Sequence, residues 1–176
     1  RGTAIRSLAR VRPASDAAVA EALAKVLAND ESPRTREDAA VALAVKDQPI
    51  AVDALLKALA DPEWTVRVSS AVSLGMTRDA RAVEALAALM KNDDWKMRGA
   101  AVIGLQRSYE KAAIPPIIDA LKDADSAVRK TAHETLMRIS KQGFPAERDP
   151  WLSWWSQVER AIQLYDPGEI EARRKK

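Results

Sequence analysis

Apolar residues return along this chain in a fixed rhythm. Leu43, Leu74, Leu105 and Leu136 are 31 residues apart, and each lies seven residues after an arginine: Arg36, Arg67, Arg98 and Arg129. In two copies every position between arginine and leucine is small or apolar, Arg67-Val-Ser-Ser-Ala-Val-Ser-Leu74 and Arg98-Gly-Ala-Ala-Val-Ile-Gly-Leu105; the other two are Arg36-Glu-Asp-Ala-Ala-Val-Ala-Leu43 and Arg129-Lys-Thr-Ala-His-Glu-Thr-Leu136. The residue before the arginine is apolar in three of the four copies, Val66, Met97 and Val128. A second set runs in phase: Val52, Val83 and Ile114; Leu55, Leu86 and Ile117; Leu59, Met90 and Leu121. Steps of three and four residues within each set place its members on one helical face. Two amphipathic helices per period make a helix–turn–helix repeat. A partial copy opens the chain, with Arg1 and Leu8 in the matching places.

The punctuation agrees with this division. Asp61-Pro62, Asp149-Pro150 and Asp166-Pro167 read as an N-cap acceptor followed by a proline at the first helical position. Pro33 and Pro49 read as first-turn prolines, and Gly75 as the end of the helix that contains Leu74. Helices are expected near 1–10, 16–28, 33–46, 49–60, 62–75, 79–91, 94–108, 112–122, 126–141 and 150–165, with a short one near 167–174. The domain division that follows is a repeat array over 1–142 and a tryptophan-rich cap with a basic tail over 143–176.

At Asp61-Pro-Glu-Trp-Thr-Val-Arg67, Ala71, Leu74-Gly75, Ala82-Val83 and Leu86 the chain resembles the HEAT repeat in its bacterial, phycobilisome-lyase-like form. The resemblance spans about residues 1–140. It implies an all-α fold: a right-handed α-solenoid of about five hairpins closed by a C-terminal helix, with the Val-Arg helices lining the concave side. It also implies a ladder between loop aspartates and helix arginines, Asp61 with Arg67 and Asp123 with Arg129, from which Asn92 departs. The end of the chain is similar to the cap of some bacterial HEAT proteins. Trp151, Trp154 and Trp155 share one helix face there, and three indoles suit the closing of a solenoid's last apolar face. No comparable cap precedes Arg1, so upstream repeats or another chain are expected against residues 1–10.

Composition narrows the chemistry. The 176 residues are 47% hydrophobic but only 5% aromatic, with no cysteine and one histidine. Ala and Leu carry the apolar content and favour helix. No apolar run is long enough to span a membrane. Thiolate nucleophiles, disulfides and zinc–thiolate sites are excluded, and the compartment stays open, with the cytoplasm the working assumption. Net charge is +3, and without Arg173, Arg174, Lys175 and Lys176 it would be −1, so the body of the chain is not basic. A nucleic-acid-binding fold normally carries a basic face.

No catalytic, cofactor or metal constellation emerges. Some HEAT-repeat hydroxylases hold a di-iron centre with several His-Glu pairs, but His133-Glu134 stands alone here, and a metal needs several converging donors. A Ser-His-Asp arrangement would have to share that histidine. The carboxylate pairs Glu37-Asp38 and Asp93-Asp94 read as acids at the positive ends of helix dipoles.

What remains is a surface. Trp64 and Trp95 are 31 residues apart and read as wedges between successive hairpins or, alternatively, as half-exposed indoles along one rim. Thr65, Val68, Ser69, Val72, Ser73 and Met76 are expected to face away from the core on one Val-Arg helix. Lys96, Gly99, Val102, Ile103 and Gln106 are expected to do so on the next, and Ala127, Lys130, Thr131, Glu134, Thr135 and Arg138 on the one after, although some of these belong to the core if neighbouring helices reach them. Gly99 and Gly104 imply close helix packing. The expected partner-binding residues are Trp64, Thr65, Val68, Ser69, Val72, Trp95, Lys96, Gly99, Ile103 and Gln106. A weakly charged, partly apolar strip of this kind suits a protein segment better than a phosphate backbone. The sequence therefore points to a non-catalytic scaffold for a protein partner. The alternatives are a nucleic-acid-binding protein of the DNA-glycosylase type and an accessory of a bilin-lyase-type enzyme.

Overall fold

The computed structural model describes residues 17–45 and 49–161. Its elements are α1 (Ala17–Asn29), α2 (Pro33–Leu43), α3 (Pro49–Ala58), α4 (Trp64–Met76), α5 (Ala80–Leu89), α6 (Trp95–Ser108), α7 (Ile114–Asp119, flanked by 3₁₀ turns at Lys111–Ala113 and Ala120–Lys122), α8 (Ser126–Ser140) and α9 (Arg148–Val158). No strand occurs among the described residues. The expected opening helix at 1–10 and the short one near 167–174 lie outside them.

The 31-residue rhythm becomes a repeated loop. Asp30, Asp61, Asn92 and Asp123 each accept, through one side-chain oxygen, the backbone N–H two residues on. This local turn reverses the chain just before an inner helix. The N-caps Ser32, Glu63, Asp94 and Asp125 follow in the same register. Three of them accept an orphan N–H of the first turn, from Thr35, Lys96 and Ala127; Glu63 makes no such bond. Three sequence expectations change here. Pro62 lies in the turn rather than at a first helical position, because Asp61 holds the turn and not the cap. Glu37 and Asp38 lie beyond the first turn of α2, where they pair with Arg34 at 3.3 and 3.6 Å. Asp149 and Pro150 are already inside α9, whose N-cap is Glu147.

α2, α4, α6 and α8 pack side by side as an inner layer, with α1, α3, α5 and α7 behind them. The inner helices approach one another most closely at α4 against α6, and the outer helices separate beyond α3, although α1 and α3 are nearly as close as α2 and α4. The family resemblance assigns these inner helices to the concave wall. The core fills the space between layers with Leu23, Leu43, Leu55, Leu74, Leu86, Leu105, Ile114, Ile117 and Leu136, all fully buried.

The tightest crossing is α4 against α6. A Cβ on Gly75 would meet the Gly104 carbonyl oxygen at 1.9 Å, and one on Gly104 would meet that of Ala71 at 2.6 Å. Gly75 therefore lies within α4 and serves close packing; it does not end the helix, whose C-cap is Thr77. Gly99 has nothing within 4 Å of the corresponding point and plays no part in packing. The left-handed positions are taken by Arg78, Tyr109 and Lys141, the last two as C-caps of α6 and α8.

α9 closes the stack. The Trp151 ring is fully buried, edge-on to His133, Phe144 and Trp154, and its N–H donates to the Pro145 carbonyl at 2.8 Å. His133 Nε2 lies 2.8 Å from the Phe144 carbonyl oxygen. Trp155 is buried as well, and Trp154 is partly buried.

Candidate functional site

Each repeat arginine holds its own loop and, where a carboxylate is available, the next loop too. Arg36, Arg67, Arg98 and Arg129 each donate through NH1 to two carbonyls of the loop before their helix, the first at 2.8–2.9 Å. The other edge of Arg36 grips both oxygens of Asp61 at 2.8 Å, and Arg98 grips both oxygens of Asp123 at 2.7 Å. The ladder thus runs from an arginine to the aspartate 25 residues later. The resemblance implied Arg67 and Arg129 for these carboxylates; both arginines instead take the aspartates' main-chain carbonyls. Asn92, where the third loop would need its aspartate, offers Arg67 no charge.

Both aspartates titrate below the usual carboxylate range. For Asp61, burial pushes the carboxyl up, but the Arg36 hydrogen bond, the Glu63 N–H and the charges of Arg36 and Arg67 outweigh it. For Asp123 the Arg98 hydrogen bond dominates, against burial and with help from the Asp125 N–H. Arg36 and Arg98 are raised in turn, first by those same hydrogen bonds. The ladder therefore fixes the pitch of the stack with charges that are already satisfied.

The inner wall offers side chains in rows. Val41, Val72 and Ile103 form one row at 31-residue steps, ending at Glu134. Val41 is 57% exposed, and Val72 and Ile103 are half-buried. Trp64 and Trp95 begin α4 and α6 in another row and are 46% and 44% exposed. Nearly half of each residue is open, which favours the rim reading of these two indoles over the wedge. Lys96 Nζ stands over the Trp64 ring, 4.5 Å from its centre. Thr65, Val68, Ser69, Gly99 and Gln106 are half-buried on the same wall and Lys96 is exposed. Ser69 Oγ reaches Glu37 at 3.4 Å, and Arg138 reaches Gln106 at 3.4 Å. Val41 and Val45, 57% and 54% exposed, lengthen the apolar strip beyond what was expected. Their 31-residue relation to Val72 and Met76 was the signal for them.

Three residues expected on this wall are buried instead: Ser73, Val102 and Thr135. Ser73 and Thr135 belong to the row Ala42, Ser73, Gly104, Thr135, where small side chains let inner helices meet. Close contact on that side leaves a narrower accessible strip than a single helix would suggest.

No group of three or more His, Asp or Glu side chains converges to hold a metal ion among the described residues. His133 is occupied with the cap, and Glu134 lies exposed beside Lys130 at 3.9 Å. The residues present do not form a His-Glu metal centre. None of the described helices is long and apolar enough to cross a membrane.

This repeated loop, arginine and core pattern matches the family model of HEAT repeats over residues 20–106 and 86–150. The chain belongs to the HEAT repeats family. No curated protein matches the chain in sequence. Among solved structures, human deoxyhypusine hydroxylase in complex with glycerol superposes with a TM-score of 0.60 at 21% identity, over 70% of this chain and 44% of that one. The complex of CpcE and CpcF of phycocyanin lyase from Nostoc sp. gives 0.54 at 23% identity, over 77% and 99%. An engineered protein gives 0.51 at 24% identity, over 90% and 79%. At such identities the likeness is one of fold, and this HEAT chain spans less than half the length of the hydroxylase.

Proposed function

We propose that this HEAT-repeat protein is a non-catalytic scaffold that binds a protein partner along its concave wall. The observation that carries the reading is the pair of open indoles, Trp64 and Trp95, aligned on consecutive inner helices beside the row Val41, Val72 and Ile103. Large aromatic anchors next to an apolar strip supply most of the binding energy in protein interfaces. Around them, Thr65, Val68, Ser69, Lys96, Gly99 and Gln106 give a weakly charged surround. The mixed charges of Arg34, Glu37, Asp38, Lys130, Glu134 and Arg138 make no continuous track for phosphates.

The test compares the full chain with the Trp64→Ala/Trp95→Ala double variant. Both are used to capture partners from the source organism, and the captured protein is then purified and titrated. We expect helicity to be unchanged, because the indoles are half-exposed, and affinity to fall at least 100-fold, as two anchors of about 1.5–2 kcal/mol each imply. Equal affinity for a folded double variant would refute the site.

A further inference from the structure

Lys96 stacks on Trp64 from the neighbouring inner helix, 32 residues further along the chain. The same step taken from Trp95 reaches Ala127, an exposed residue in the first turn of α8. The second indole thus has the same place in its repeat and nearly the same exposure, 44% against 46%, but its neighbour supplies a methyl group where the first has an ammonium. Among the described residues the only cation found over an indole ring is the one on Trp64.

Carboxylates flank Trp95. Asp93 and Asp94 immediately precede it, and Asp125 occupies the equivalent cap of the next loop. The nearby guanidinium of Arg98 is tied to Asp123, and that of Arg129 donates to the Asp123 and Ala124 carbonyls. Asp93 is exposed and Asp94 and Asp125 are half-buried; Asp94 and Asp125 each spend one oxygen on a helix cap, and the Arg98 charge acts on Asp93 and Asp125 without pairing with either. An aromatic face attracts a cation through its quadrupole, and neighbouring carboxylates add to that attraction.

We propose that Trp95 is the seat for a lysine or arginine side chain presented by a basic segment of the partner protein. The partner's cation completes at Trp95 the arrangement that Lys96 completes at Trp64. Asp93, Asp94 and Asp125 receive further basic residues of the same segment. This inference rests on the inner-wall reading above and adds the chemistry of the occupant: a segment that pairs apolar contacts on Val72 and Ile103 with positive charge at the rim.

The test uses a hexa-arginine peptide as probe and the full chain, read by the indole N–H resonances of its five tryptophans in heteronuclear NMR. Hexa-glutamate serves as control. The Trp95 resonance is expected to shift first and furthest with hexa-arginine and not with hexa-glutamate. Ala127→Lys gives α8 its own cation for the seat and lowers the apparent affinity about two- to fivefold, as loss of one exposed cation–π contact implies. Ala127→Gln, of similar length but neutral, retains the affinity. Lys96→Ala frees the first indole, and Trp64 then responds as well. A shift spread evenly over all five indoles, or one untouched by Ala127→Lys, overturns the proposal. So does a Trp95 resonance that moves when residues 173–176 are deleted before any peptide is added, because the chain's own tail then fills the seat. The two readings fail separately. A captured partner that tolerates Ala127→Lys but not Trp64→Ala/Trp95→Ala uses the wall without the cation; one that tolerates both does not use the wall.

Discussion

At the scale of single residues, the carboxylates of the ladder and one buried hydroxyl make the sharpest statements. Asp61 is held charged by Arg36, and both side chains are about nine-tenths buried. Its depressed pKa means that it stabilises the fold fully above its unfolded value of about 4, and that this contribution is lost as pH falls through the lower folded value. Asp61→Asn keeps the turn, since an amide oxygen can still accept from the Glu63 N–H, as Asn92 does from Asp94 in the next loop. The variant should lose about 2 kcal/mol at pH 7. The gap from the parent chain should close below about pH 4, as followed by urea unfolding across the pH range. Asn92→Asp is the converse. It gives Arg67 the carboxylate its register lacks and should add up to about 1 kcal/mol in the same assay. Ser70 Oγ is buried with no hydrogen-bond partner among the described residues, where the other repeats carry Ala39, Ala101 and Ala132. Ser70→Ala should therefore stabilise by about 1 kcal/mol, seen as a higher denaturant midpoint. The sequence showed the arginines and aspartates but paired them within a loop. Which loop a guanidinium reaches depends on how repeats stack, and spacing along the chain does not carry that information.

At the scale of helices, three glycines that look alike in sequence behave differently. Gly75 and Gly104 let the backbones of α4 and α6 touch, whereas Gly99 faces open space. Gly99→Ala should stabilise by about 1 kcal/mol through helix propensity alone. Gly75→Ala or Gly104→Ala should destabilise by about 3 kcal/mol or more, because in each case the nearest atom a methyl meets is a main-chain oxygen that cannot turn aside. Thermal melts of the three variants decide this, and a destabilised Gly99→Ala or a neutral Gly75→Ala would show that the crossing is misplaced. The same crossing explains where helical periodicity misled. A wheel drawn for α4, α6 or α8 alone puts Ser73, Val102 and Thr135 on the outside, since it knows one packing direction. An inner solenoid helix is packed on three sides, by its hairpin partner and by the inner helices before and after. The rows that stayed at least partly open are Trp64 with Trp95 and Val41 with Val72 and Ile103. Periodicity named all of these but Val41, and whether the indoles wedged or opened depended on the separation of adjacent loops.

At the scale of the whole molecule, a stack in which each hairpin touches only its neighbours fails from its ends. The 31-residue rhythm and the Trp-rich helix made that architecture legible before any coordinates, because each repeat spells out its own core. Trp151 tests it. The indole is fully buried against Phe144 and His133 and donates its N–H to the Pro145 carbonyl, so it ties α9 to α8 and to the loop between them. Trp151→Ala should cost about 3–5 kcal/mol, but locally. Amide hydrogen exchange should accelerate strongly in α7, α8 and α9, less in α6, and hardly in α1 and α2, since no long-range contact carries the loss to the far hairpin. A globular domain would lose protection everywhere at once. Uniform acceleration from α1 to α9 would thus contradict the nearest-neighbour stack, whereas a gradient that fades toward α1 would leave the wall around Trp64 and Trp95 folded. Partner binding should then survive Trp151→Ala at temperatures where α9 has already come free.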